Sequence, residues 1–174
     1  MCRISPDLDK FRTTLRHFFA HETVHTLQAD PGDEGKATPL LTTVLREGAA
    51  DFIAAMVTGE EADPRRVAWA MPREAELWRE FQADVVTAKG LDWKSSDRTA
   101  PPRAALHRWV QNAVPEPWTD RPHELGYWLG MRIWQSYFDA APDKPRAIRD
   151  MLNWTDPEEM LRRSGYLGGS AKAW

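Results

Sequence analysis

The stretch RHFFAHETVHTLQ, residues 16–28, decides how this chain is read. It contains His21-Glu22-Thr23-Val24-His25, two histidines four positions apart with a carboxylate directly after the first. In a helix, positions i and i+4 stand one above the other with Cβ atoms about 5–6 Å apart, so both imidazoles project from one face. The segment does read as a helix. Ser5 is a plausible N-cap with Pro6 at the first helical position, and Leu8, Phe11, Leu15 and Phe18 step by three and four. Continued, that step lands on Glu22 and His25, so the apolar stripe expected to be buried runs into a polar cluster.

Working outward, DPGDEGK (30–36) reads as a turn-rich break. TPLLTTVLREGAADFIAAMVTGE then repeats the start signal, with Thr38 as cap, Pro39 behind it and Gly59 as the stop. Its stripe is Leu41, Val44, Leu45, Phe52, Ile53 and Met56. A further helix is expected from Pro72 to about Lys89, closed by Gly90. Residues 92–103 read as an exposed loop, 104–113 as a short helix, and VPEPWTDRP (114–122) as extended or turning chain. HELGYWLGMRIWQSYFDAA (123–141), KPRAIRDMLNW (144–154) and DPEEMLRRSGY (156–166) read as helices, the last ending at Gly165. No convincing alternating strand appears. The expected fold is mainly α, with little or no sheet, in a single domain spanning 1–174.

Composition narrows the function. A net charge of -3 argues against a nucleic-acid or anionic-membrane partner, which a basic excess would attract. Cys2 is the only cysteine, which excludes an intrachain disulfide and a cysteine-rich zinc site. No apolar run approaches the roughly 20 residues of a membrane span, and the opening MCRISPDLDK lacks a signal-peptide core. As written, the chain reads as cytoplasmic.

The chemistry expected of HETVH is zinc ligation. Two imidazoles at this spacing reach one Zn²⁺ at about 2.0–2.1 Å each, and a carboxylate beside the first lies next to the ion without binding it. A catalytic zinc needs a third protein ligand and keeps a fourth position for water. REGAAD (46–51) offers Glu47 for that place. Asp51, one turn on, is expected to accept the outward N–H of a ligand histidine, most simply His21, and so fix its tautomer. Gly48, Ala49 and Ala50 are small enough to let the two helices approach closely around the ion.

H-E-x-x-H followed by E-x-x-x-D resembles the gluzincin metallopeptidases, the clan of thermolysin. The finer pattern HETVHTLQ, REGAADFIAA, ELGYWLGMRIWQSY and DPEEMLRRSGY is similar to bacterial zinc-dependent protease families of that clan, over about Phe11 to Tyr166. The resemblance implies a zincin-like helical domain with the HExxH helix packed on the ExxxD helix. It also implies His21, His25 and Glu47 as zinc ligands, Glu22 as general base toward zinc-activated water, Asp51 behind the ligands, and a peptide or protein substrate. A Tyr or His from a later helix would stabilise the oxyanion: Tyr127 first, then His123, then Tyr166. Gluzincins usually carry a small sheet ahead of the motif helix. Only 20 residues precede His21 here, and they read as that helix itself, so the chain is expected to be an N-terminally truncated or minimal helical version. The competing expectation is a non-catalytic zinc-binding helical module with a regulatory or interaction role.

Other candidates read as structural. His17 and His107 are expected at the surface or in structural roles, Arg132 in a salt bridge, and Trp128, Ile133, Trp134 and Phe138 in the core. The basic runs at 64–66 and 161–163 are expected to be solvated.

Overall fold

A computed structural model describes residues 8–61, 63–95, 97–110 and 120–169, with side chains described from residue 11 onward. Every regular element among them is helical: α1 Leu8–Leu27, α2 Gly32–Ala37, α3 Pro39–Thr58, α4 Pro64–Ala70 and its 3₁₀ continuation Met71–Arg73, and α5 Glu74–Ala88. These are followed by α6 Pro101–Trp109, α7 Leu125–Ala140, α8 Lys144–Leu152 and α9 Pro157–Ser164. The mainly α expectation holds. Ser5 and Pro6 lie outside the described residues, as does most of 114–122.

Local signals set most of these boundaries. Asp63, Asp143 and Asp156 each accept backbone N–H bonds at the start of α4, α8 and α9, with a proline in the first turn. Gly59 and Gly165 close α3 and α9 in the left-handed conformation, at φ 74° and 62°. The expected break at 30–36 holds a short helix instead. The expected Pro72–Lys89 helix starts at Glu74, and the additional helix α4 lies ahead of it.

The core is organised around α3, which packs chiefly on α7 and on α1. Leu40, Leu41, Val44, Leu45, Ala49 and Phe52 are inaccessible or nearly so. The α3–α7 crossing is close enough that a Cβ on Gly48 would lie 2.2 Å from the Gly130 carbonyl carbon, and one on Gly130 would lie 2.1 Å from the Val44 oxygen. Gly48 is therefore small for α7, not for α1 as its place beside Glu47 suggested. Trp78, Trp109, Trp128, Trp134 and Trp154 are buried, supplying the large apolar area that aromatic rings bring. Trp134 donates its indole N–H to the Leu45 carbonyl at 2.8 Å, tying α7 to α3. Trp128, Ile133 and Trp134 are core as expected, and Phe138 packs against it.

One expectation fails on α1. Its apolar stripe is not buried: Phe11 is 58% exposed and Phe18 52%. The buried face is His17, His21 and Val24. Helix α1 rests on α3, and the part of α3 it meets presents Asp51 and Glu47. Hydrogen bonds to those carboxylates, rather than apolar burial, select the inward face.

Candidate functional site

His21 and His25 project from α1, and Glu47 and Asp51 from the neighbouring α3, each pair one turn apart. Three atoms converge: His21 Nε2 and His25 Nε2 lie 3.0 Å apart, and Glu47 Oε2 lies 3.2 Å from each. Donors held tetrahedrally at about 2.0–2.1 Å from one Zn²⁺ stand roughly 3.3 Å apart, so the triangle has the dimensions of three zinc ligands.

The outer hydrogen bonds decide what the triangle offers. His21 donates Nδ1–H to Asp51 Oδ1 at 2.7 Å. His25 donates Nδ1–H to Gln28 Oε1 at 2.9 Å, and the orientation of that amide is fixed because Gln28 Nε2 donates to the Arg46 carbonyl at 2.8 Å. With each neutral ring protonated on Nδ1, both Nε2 lone pairs and a carboxylate oxygen face one point. Three acceptors at this separation repel one another unless something positive sits among them. Without a metal a proton takes that role. Burial works against a charge on His21, but hydrogen bonds to Asp51 and Glu47 outweigh it and hold its pKa at about 9. Glu47 is held down at about 2, its burial outweighed by the two histidines. The Glu47 hydrogen bond raises His25 as well. The three groups are placed so that they could hold a metal ion.

Asp51 behind it is 3% exposed. Burial alone would raise its pKa, but hydrogen bonds from His17 and His21 and the charge of Arg66 keep it well below the usual carboxylate range. His17 donates Nε2–H to Asp51 Oδ1 at 3.4 Å, and Arg66 Nη2 donates to Oδ2 at 3.3 Å.

The triangle opens into a cleft of about 630 Å³. Glu22 lines the cleft and is exposed, so it has access to solvent and to whatever enters. Tyr127 also lines it, with its ring stacked on His21 at 5.9 Å between centroids and 6° between planes. Burial first, and the Glu47 charge second, raise the Tyr127 pKa, so its hydroxyl stays protonated. His123, four residues before Tyr127 and ahead of α7, is not among the lining residues. Tyr166 is elsewhere: it is buried, and its hydroxyl donates to Glu74 Oε1 at 2.7 Å.

Sequence reasoning missed three participants. His17, expected at the surface or in a structural role, is buried against Asp51; its spacing of four from His21 was the available signal. Gln28, three residues after His25, carried a similar cue. Arg66 was expected on a solvated face but is 5% exposed, and nothing local marks it, because its partners are 15 and 58 residues away. Compared with protein-family models, curated proteins and solved structures, the chain matches none of them.

Proposed function

We propose that this chain is a zinc-dependent metallohydrolase of the gluzincin type, acting on peptide bonds. The observation that carries the reading is the triangle of two imidazole lone pairs and one carboxylate oxygen, spaced as zinc ligands and opening into a cleft. Two histidines and a glutamate are a catalytic zinc set, which leaves a position for solvent. Bound there, Zn²⁺ would supply Lewis acidity toward a carbonyl and acidify water. The likeness of HETVH and EGAAD to gluzincin motifs supports a peptide substrate.

The remaining roles belong to the chain. Glu22, exposed at the cleft wall, accepts the proton of the attacking water and returns it to the leaving amine. Tyr127 donates a hydrogen bond to the oxyanion, which its raised pKa permits. Asp51 and Gln28 hold His21 and His25 with Nε2 toward the ion.

Metal analysis and hydrolysis of a broad fluorogenic peptide library test this. Wild type is expected to bind zinc and to cleave. Glu22→Gln should retain the zinc and lose about 10²–10⁴-fold in rate. Glu47→Ala should lose the zinc. Undiminished hydrolysis in Glu22→Gln overturns the mechanism, and zinc held without cleavage of any library member favours a non-catalytic module.

A further inference from the structure

Arg66 is no ligand, yet it reaches three parts of the site. Its Nη2 donates to Asp51 Oδ2 at 3.3 Å, and its Nη1 donates to the Glu124 carbonyl at 3.0 Å, with the Glu124 carboxylate 3.8 Å away. Its guanidinium lies 5.8 Å from the centre of the Tyr127 ring. The Glu124 carbonyl also accepts the Tyr127 backbone N–H at 3.0 Å, so one oxygen links Arg66 to the first turn of α7. Glu124 adopts φ 54°, the one positive φ of a residue other than glycine among the described residues. A strained turn of this kind persists where its surroundings hold it, and the Arg66 bond to its carbonyl does so.

Stability alone accounts poorly for this arrangement. Arg66 Nε and His17 Nδ1 are buried without a hydrogen-bond partner, a cost that an apolar replacement would avoid. What the guanidinium provides is geometry. Two N–H groups of one rigid plane hold Asp51 with one hand and the α7 entry turn with the other, which a lysine ammonium on a flexible stem does not reproduce.

We infer that Arg66 is a positioning residue coupling the two halves of the reaction centre: through Asp51 it orients the ligand His21, and through the Glu124 turn it places Tyr127 against that ligand. The inference rests on the metallohydrolase reading. No contact of Arg66 with substrate is required.

The test uses the full chain with Arg66→Met, Arg66→Lys and Tyr127→Phe. Zinc affinity is read by competition with a chromophoric chelator, ligand geometry by the visible spectrum of the cobalt-substituted protein, and kcat at saturating zinc. Arg66→Met should weaken zinc binding about 10–100-fold and alter the cobalt spectrum. Arg66→Lys, which keeps the charge and guards against loss of folding, should still lower kcat with KM little changed. That loss should largely vanish in the Tyr127→Phe background, because coupled residues are non-additive. Arg108→Met, which removes the exposed partner of the buried Asp84 away from the cleft, serves as the control that leaves zinc affinity unchanged in the folded protein. Wild-type protein that binds no zinc overturns both the metal reading and this inference. Wild type that binds and cleaves, with Arg66→Lys equal to it or with fully additive losses, overturns this inference alone.

Discussion

Among the described residues, two of the buried polar networks are built on opposite rules. Near the middle of α7, five residues past Tyr127, Arg132 donates from Nε to Glu74 Oε1 at 2.8 Å and from Nη2 to Oε2 at 3.3 Å, and Tyr166 donates to Oε1 at 2.7 Å. Every donor there points at an acceptor, no side-chain polar atom of the three is left over, and charge is balanced within the group. Around the α1–α3 contact, two imidazole nitrogens and a carboxylate oxygen crowd one point that needs a positive charge, the buried His17 Nδ1 and the Arg66 Nε of α4 go without partners, and the cluster opens to a cleft. A closed network needs nothing from outside. An open one has a place that a cation could fill, as the proposed zinc site requires, and that difference sets the two networks apart more sharply than burial, which they share.

The strongest way to break the contrast is to damage the closed network. Arg132→Met leaves the Glu74 carboxylate buried without its cation and should cost about 3–5 kcal/mol, read by chemical denaturation. The folded fraction should bind zinc normally. The double variant Arg132→Met with Glu74→Gln should recover part of the loss. If the single variant lost zinc binding while staying folded, the two networks would not be independent.

Gly48→Ala should strike both regions at once. Its Cβ would sit 2.2 Å from the Gly130 backbone, so α3 and α7 must separate, at about 1–3 kcal/mol. Because Glu47 is the preceding residue, the shift should also weaken zinc binding, unlike Arg132→Met. A variant as stable as wild type would mean that the crossing has slack.

How far the sequence reached follows the same division. The bounds of α3 were legible because Thr38-Pro39, the apolar stripe and Gly59 all lie within the segment, although Met56 of that stripe is exposed and the Thr38 side chain makes no capping bond. The triangle was legible because helical spacing converts i and i+4 into a shared face, and because REGAAD in the next helix offered Glu47 as a third ligand. Arg66 was not legible, since its partners belong to α3 and to the α7 entry turn, and no local pattern relates them. The α1 stripe misled for a physical reason. Apolar periodicity marks a face excluded from water in most helices, but here hydrogen bonds to Asp51 and Glu47 turned the polar face inward.

Metal loading should sharpen the contrast at intermediate size. An ion that binds only the folded chain adds about 2.7 kcal/mol at a hundred times its Kd. Zinc should therefore raise Tm, a chelator should reverse it, and Glu47→Ala should abolish the response. Arg132→Met, though less stable, should keep the full zinc-induced shift. A zinc response surviving in Glu47→Ala would place the ion elsewhere.

The smallest expected change in stability concerns the stripe that sequence alone assigns to the core. Phe18 is half exposed and lines the cleft beside Glu22, one helical turn before it. Phe18→Ser removes little packing, so folding free energy should move by no more than about 0.5 kcal/mol. Phe52, on α3 and fully buried, supplies the scale: Phe52→Ala should cost about 3–5 kcal/mol. If the cleft admits peptide, an aromatic ring on its wall contributes contact area to substrate rather than to the fold. KM for peptides with bulky apolar side chains should then rise on Phe18→Ser, with zinc content unchanged. A large fall in Tm would return Phe18 to the core. An unaltered KM across apolar and polar peptides would show that substrate does not use this side of α1, leaving the wall formed by Tyr127, Glu124 and Asp63 to receive it.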